Sequence, residues 1–308
     1  MSQHLSRQLK TNDDVEHFLN SVLKYDIRKN PNIINLIVDG ELGINNIEIS
    51  KQTLSSTNYR DRNYKTEESR WNLRKSIINE LLENERPLDD DNISLGNGGA
   101  KPNCILKSKK QCFIVIGLPA SGKSKFSNEI ADKYGCMIID SDYAKRKLPE
   151  FSSHLYGATL VHSESSEITF GFNDSSQKLY SLYEECIIRK HNFIMPKIGD
   201  NPTKILESAT VLKKIGYKIN LVLVNVDRIE ATKRAIKRYE DSKRYVPLGL
   251  IFDGYGNNPL ITYFYLRTFH SNIFESFTLI DNNEIPFIGD SLGKKLLNLN
   301  KKKLNLSL

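Results

Sequence analysis

The clearest chemistry in this 308-residue chain lies in one short run. Gly117, Leu118, Pro119, Ala120, Ser121, Gly122, Lys123 and Ser124 occur in that order, with Lys125 next. They follow an apolar run, Cys112 to Ile116, and open a segment of helical composition, Lys125 to Tyr134. This is the G-x-x-x-x-G-K-[ST] pattern in a strand–loop–helix setting. Its glycines let the backbone curl until successive amides point inward at phosphate oxygens. The following helix adds the partial positive charge of its N-terminus. Lys123 reaches the outer phosphates and the Ser124 hydroxyl ligates Mg²⁺. The bland alternative is a Gly/Ser turn that matches by accident, and the flanking strand and helix argue against it. The run therefore predicts binding of a nucleoside triphosphate, ATP before others, together with Mg²⁺.

A second group sits at the end of the next apolar run, Ile138-Ile139-Asp140-Ser141-Asp142. Residues two apart at a strand end face the same way, so Asp140 and Asp142 both point to the loop side. Phosphoryl transfer uses one carboxylate to take the proton of the acceptor hydroxyl and often another near Mg²⁺. Spacing alone does not assign the two roles. Farther on, Arg234 and Arg238 are four apart, hence on one helix face, and Arg244 follows just beyond. Arginines there would stabilise the charge of a transferring phosphoryl group, although exposed helix arginines are common for no chemical reason. The run Leu221 to Asp227 imitates a strand ending in the metal-binding Asp of an ATPase; Asp227 serves equally well as the cap of the arginine-bearing helix.

These groups need a scaffold, and the pattern of apolar runs supplies one. Strands are expected at Cys112–Ile116, Cys136–Ile139, Phe193–Met195, Ile219–Val226 and Phe277–Ile280. Helices are expected at Lys125–Tyr134, Ser175–Arg189, Thr203–Ile215 and Arg228–Arg244, with a mixed stretch at Ile261–Phe274. Alternation of this kind predicts an α/β fold with a central, mainly parallel sheet flanked by helices, and ligands beyond the carboxyl ends of its strands. Residues 1–85 read as a helical N-terminal region of unassigned role, with helices at Asp13–Tyr25 and Thr66–Asn84. In the second of these Trp71, Ile77, Ile78, Leu81 and Leu82 share an apolar face. Residues 86–110 carry Pro87, three consecutive aspartates and Gly96-Asn-Gly-Gly, and read as a linker. Residues 111–290 form the phosphate-loop domain, and 291–308 a basic tail.

Net charge is +7, and it is uneven: residues 1–100 carry 13 Lys+Arg against 16 Asp+Glu, so the basic excess lies in the phosphate-loop half. Small polyanions fit that balance better than nucleic acid, because basic and aromatic residues are not interleaved in a binding module. No apolar run is long enough to span a membrane, the N-terminus lacks a secretory pattern, and the four cysteines show no paired spacing. A cytoplasmic protein is expected, in the bacterial cytosol or in a host cytosol after translocation.

From Phe113 to Asp281 the chain resembles the zeta toxin family of bacterial kinases. The carriers are GLPASGKS, the string Ile138-Ile139-Asp140-Ser141-Asp142-Tyr143-Ala144-Lys145 with Pro149 and Phe151 beyond it, the segment Asn192 through Tyr217, and Arg238-Tyr239-Glu240 followed by Arg244 and Pro247. The resemblance implies a phosphate-loop kinase core that moves the γ-phosphate of ATP to an alcohol, a sugar hydroxyl of UDP-N-acetylglucosamine in the family. It makes Lys123 the phosphate-binding lysine and Ser124 the Mg²⁺ ligand. It makes Asp142 the base, leaving Asp140 on the metal side, and Arg238 and Arg244 the arginines that grip the phosphates. It places His162 against the acceptor. Where the family has a glutamate after the third strand, this chain has Pro196 followed by Lys197, which points to a more anionic acceptor contacted by Lys197, such as a dinucleotide like NAD. A polynucleotide 5′-hydroxyl kinase and an ATPase or switch protein are the alternatives. The expected partners are the small nucleotide-like substrate and an antitoxin or host protein, and residues 1 to about 60 are a candidate restraint in cis.

Overall fold

The computed structural model describes residues 6–45, 51–153, 156–172, 179–242 and 245–283. The expected basic tail, 291–308, and Arg244 lie outside these residues. Described elements run in the order α1 (Asn12–His17), α2 (Ile33–Asn45), α3 (Glu67–Glu83), β1 (Gln111–Ile116), α4 (Lys123–Tyr134), β2 (Met137–Ile138), α5 (Ser141–Lys147), α6 (Glu150–Ser153), α7 (Gly157–Leu160), α8 (His162–Phe170), α9 (Leu182–Ile188), β3 (Phe193–Lys197), α10 (Pro202–Lys214), β4 (Lys218–Asn225), α11 (Arg228–Ser242), α12 (Asn258–Phe269) and β5 (Ser276–Asp281). The strands form one five-stranded sheet in the order β2-β3-β1-β4-β5. β2 runs parallel to β3, with Met137 opposite Phe193, and β4 parallel to β5, with Asn220 opposite Ser276. β1 and β4 were legible because a strand covered on both faces is an unbroken apolar run. β1 is buried at every position but its first, and β4 at every position but its two ends.

Two features of this sheet bear on function. The chain leaves β1 for β2 on one side, and β4 continues the sheet on the other, so the carboxyl end of β1 is a point where the strand order reverses. Pro196 sits inside β3, an interior strand, where a residue without an N–H is normally excluded. It is tolerated because β2 is only two residues long and pairs with Phe193 and Ile194, ending before Pro196 is reached.

The chain divides into two compact units. One comprises the described residues of Met1–Gly43, Cys112–Ser127 and Pro196–Leu308; the other comprises Ile44–Gln111 and Asn128–Met195. In the first unit Val15, Phe18, Leu19, Leu23, Ile33 and Ile37 share one apolar core with Leu118, Val226, Ala231, Ala235, Ile236 and Phe252. Residues 6–43 are therefore part of the nucleotide-loop unit's own interior rather than an appendage, which argues against a separable restraint. The helix expected at Asp13–Tyr25 is α1 continued by a π-helical turn, Phe18–Leu23, closed by Lys24 at φ 52°. Its cap is Thr11, whose hydroxyl accepts from the Asp14 amide at 3.2 Å.

In the second unit the segment expected as a flexible linker is folded. Arg86 donates to both carboxylate oxygens of Asp132 at 2.9 Å, and the Ala100 amide donates to Leu81 O at 2.9 Å. Ile93 and Ala100 are buried. At Gly99 a Cβ would lie 2.2 Å from Asn84 O, so the close approach of these backbones requires glycine. The turn wraps the buried ammonium of Lys147, which donates to Glu80 Oε2 at 2.6 Å, Ser94 O at 2.9 Å and Asn97 O at 3.0 Å. Lys147→Met removes the cation and strands those acceptors. Its expected cost is about 2 kcal/mol, read as a lower urea midpoint; an unchanged midpoint would show the turn to be held by its glycines alone.

Also in this unit α9 starts at Leu182, later than the expected Ser175, whose position lies outside the described residues. Ser181 and Glu184 form a reciprocal capping box there, with the Ser181 amide donating to Glu184 Oε2 at 2.8 Å. The acidic and basic residues of α3 divide in an unexpected way. Arg70 and Arg74 join Leu73, Ile77, Ile78, Leu81 and Leu82 on the buried face, while Trp71, expected on that face, is half-buried. Among the described residues no helix is long and apolar enough to cross a membrane.

Candidate active site

In the first unit Gly117 to Ser124 follow β1 and lead into α4, as the motif requires. The turn is tight. Ala120 and Gly122 have φ of 60° and 89°, and the Ser121 amide donates to Leu118 O at 3.1 Å. A Cβ on Gly117 would lie 2.5 Å from Val224 O, and one on Gly122 would lie 2.6 Å from Asn282 Nδ2. Both motif glycines are thus fixed by what surrounds them as well as by what they would bind. The Gly117 amide donates to Ile198 O at 3.0 Å, tying the loop's start to the chain just after β3.

Lys123 opens α4 and folds back over this loop, its Nζ donating to Gly117 O at 2.7 Å and Leu118 O at 2.6 Å. Ser124, the following residue, is exposed at the first turn of α4, and Lys125 is exposed beside it. Amides of a helix's first turn have no acceptor within the helix, so this end favours an anion. Leu118 is buried in the apolar core with Ala120 packed against it, while Pro119 and the Gly122 backbone are partly exposed.

A further residue of this unit meets the loop, and no motif announces it. Asn282 follows β5. Its side-chain amide donates to Ser121 O at 2.8 Å, and its backbone amide to Asn225 O at 2.8 Å. Arg234, on α11, donates to the Asn282 carbonyl at 3.0 Å and to Glu230 Oε1 at 2.9 Å. Arg238, one turn along, is exposed. Lys197, which closes β3, is partly exposed. Asp227 uses its carboxylate as a helix cap, accepting from the Ile229 amide at 2.8 Å, which is the structural alternative to a metal ligand.

In the second unit Asp140 and Asp142 straddle the start of α5. Asp140 is the cap: its Oδ1 accepts from the Asp142 amide at 3.0 Å. Asp142 lies in the first turn with its side chain 41% exposed, and Lys145 Nζ sits 2.9 Å from its Oδ1. His162 begins α8, which packs against α5. Its pKa is held below the usual imidazole value, by lost hydration first and by the Lys145 ammonium second, against the pull of Asp142. The neutral ring is the form expected at neutral pH. The structure therefore gathers Asp140, Asp142, Lys145 and His162, of which Lys145 was not anticipated as a neighbour of the carboxylate.

Behind His162 the same helix is anchored by charge. Arg70, Glu150 and Glu164 are 0%, 1% and 0% exposed at their side chains, and Arg70 forks to both carboxylates at 2.6–3.1 Å. Arg74 Nε adds a bond to Glu164 Oε1 at 2.7 Å, and Thr53 donates to Oε2 at 2.5 Å. Burial alone would raise the Glu164 pKa, but Arg70 and then Arg74 and Thr53 pull it down to about 2. The Ser/Glu string at the start of α8 is thus split in role: Glu164 is interior structure, and His162 faces outward.

Comparison with known proteins adds the family. The zeta toxin family model matches residues 98–255. No curated protein sequence matches the chain. Among solved structures the chain is similar to the PezAT chromosomal toxin–antitoxin system of Streptococcus pneumoniae, at 13% identity over 66% of this chain and 88% of that one, with a TM-score of 0.41. It is also similar to AvrRxo1-ORF1:-ORF2 with ATP, at 16% identity over 78% and 72%, with a TM-score of 0.44.

Proposed function

The chain belongs to the zeta toxin family of phosphotransferases, and from that premise we infer that it transfers the γ-phosphoryl group of ATP to a hydroxyl of a nucleotide-like small molecule. The observation that carries this reading is the G-x-x-x-x-G-K-S loop, set between β1 and α4 inside the matched residues. Loop amides and Lys123 would hold the phosphates, and Ser124 would meet the Mg²⁺ that accompanies ATP. That ion supplies charge neutralisation at the β- and γ-oxygens. The ion of this reading is the one that accompanies the nucleotide. Asp140 is assigned to its outer side, with one oxygen already committed to capping α5.

Asp142 is the assigned base. It takes the proton of the acceptor hydroxyl as that oxygen bonds to the γ-phosphorus; the bond to the β–γ bridging oxygen breaks and ADP leaves. Lys145 Nζ, 2.9 Å from Asp142 Oδ1, pairs with that carboxylate at the start of α5. Arg238 and Arg244 are assigned to the phosphates, and His162 and Lys197 to the acceptor. Replacement of the family glutamate by Pro196-Lys197 favours an acceptor with more negative charge, a dinucleotide such as NAD ahead of UDP-N-acetylglucosamine. A toxin role, with an antitoxin or host protein as partner, follows from the family.

The test is transfer from γ-labelled ATP with Mg²⁺ to UDP-N-acetylglucosamine, NAD and a 5′-hydroxyl oligonucleotide in parallel. Label is expected in one acceptor and, for Asp142→Asn, reduced about 10³-fold with ATP binding retained. Release of free phosphate alone, unaffected by that substitution, refutes the reading.

A further inference from the structure

Within the first unit three parts that phosphoryl transfer must coordinate converge on Asn282: the phosphate loop, the sheet and the arginine-bearing helix. Its side-chain amide holds Ser121 O, its backbone amide holds Asn225 O just past β4, and its carbonyl receives Arg234 of α11. We propose that Asn282 is a positioning residue for the nucleotide, one that fixes the phosphate loop through the Ser121 carbonyl and ties that loop to α11 through Arg234. The proposal deepens the nucleotide reading of this loop and rests on it.

Three observations support it. First, the contact is made to the residue whose orientation decides the cradle. Ser121 lies between Ala120 and Gly122, both with left-handed backbone, and holding its carbonyl outward on Asn282 fixes the peptide that links it to Gly122. That amide is one of those the motif aims at phosphate oxygens. Second, the Ser121 hydroxyl is buried and has no hydrogen-bond partner among the described residues, while the Asn282 amide grips the backbone of this turn. Third, the approach is close. Asn282 Nδ2 occupies the space a Cβ at Gly122 would need, 2.6 Å away. The second motif glycine therefore admits Asn282 as well as phosphate, which gives its invariant place in the pattern a second physical reason in this chain.

The link to α11 makes the contact more than a brace. Arg234 divides its guanidinium between Glu230 on its own helix and the Asn282 carbonyl. A shift of α11, on which Arg238 also rides, acts on the Asn282 backbone and through its side chain on Ser121. Closing of the arginine-bearing helix and tightening of the phosphate cradle would then be one event, the coupling expected where charge stabilisation must arrive only with bound substrate.

The experiment measures equilibrium binding of a fluorescent ATP analogue with Mg²⁺ to the full chain, alongside thermal melting. Asn282→Asp keeps the shape, removes the donor and sets a carboxylate against the Ser121 carbonyl and the phosphates. It is expected to weaken binding by about tenfold or more. Asn282→Ala should weaken it about fivefold. Arg234→Ala should weaken it about threefold alone and add nothing on top of Asn282→Ala, because the route through the side chain is already gone. Melting temperatures within a few degrees of the unaltered chain, with binding changed, separate positioning from general loss of structure. Binding by Asn282→Asp equal to the unaltered chain overturns the proposal, as do independent, multiplying effects of Arg234→Ala and Asn282→Ala. No binding by the unaltered chain overturns the nucleotide reading and this proposal with it.

Discussion

Lys123→Met is expected to lower kcat/KM for phosphoryl transfer by about 10⁴-fold, the size of effect that follows removal of a cation from a transferring phosphoryl group. The Lys123 ammonium donates to Gly117 O and Leu118 O, which holds it over the phosphate loop; in the proposed reading the outer phosphates of the nucleotide lie there. Exchanging two neutral carbonyls for phosphate oxygens gains more than it gives up, because a hydrogen bond is stronger when both partners are charged. Charge accumulates on those oxygens in the transition state, so the loss falls on kcat as well as on affinity. Methionine keeps the length and apolar stem, and Lys123 is only partly buried, so melting should move little. Lys123→Arg should not restore activity, since a planar fork cannot occupy the position of a compact ammonium. Transfer retained to within tenfold in Lys123→Met would sink the assignment of this lysine.

The parts of the molecule that sequence exposed are those where one physical rule dominates. β1 and β4 are parallel strands covered on both faces, so apolar runs betrayed them. The phosphate loop was legible because its glycines, lysine and serine answer to a fixed geometry. What stayed hidden depended on tertiary partners. Arg70 reads as an exposed helix residue until Glu150 and Glu164 are brought to it from 80 and 94 positions away. The segment 86–110 has the composition of a linker, yet its glycines are there to let the chain close around Lys147. A lone asparagine after a last strand carries no signal at all, so Asn282 emerged only with its three contacts. The first N-terminal helix was legible as a helix; α2, whose Ile33 and Ile37 complete the core around Leu118, was not.

The buried charge cluster beside α8 should make the fold acid-sensitive, and Arg70→Met should be the most destabilising single change in the second unit. Two carboxylates, on Glu150 and Glu164, lose their shared guanidinium while remaining out of water. Breaking a buried pair in this way costs about 3–5 kcal/mol. The sign of the pH effect follows from Glu164. Its folded pKa of about 2 lies below the ordinary 4.5, so the unfolded chain binds a proton more readily than the folded one. The stabilisation is complete above pH 4.5, declines as pH falls through the interval, and is gone below about 2. The depression corresponds to about 3–4 kcal/mol, each pKa unit being worth about 1.4. Urea denaturation at pH 7, 4.5 and 3 reads both effects. Glu164→Gln should lower stability at pH 7 and flatten its fall between 4.5 and 3, because the group that titrates is gone. An equally steep fall in Glu164→Gln would move the acid sensitivity to other carboxylates. α8 carries His162 at its first turn, next to the Asp142–Lys145 pair, so on the proposed assignment of His162 to the acceptor, loosening this anchor should also raise the acceptor KM while leaving ATP affinity unchanged.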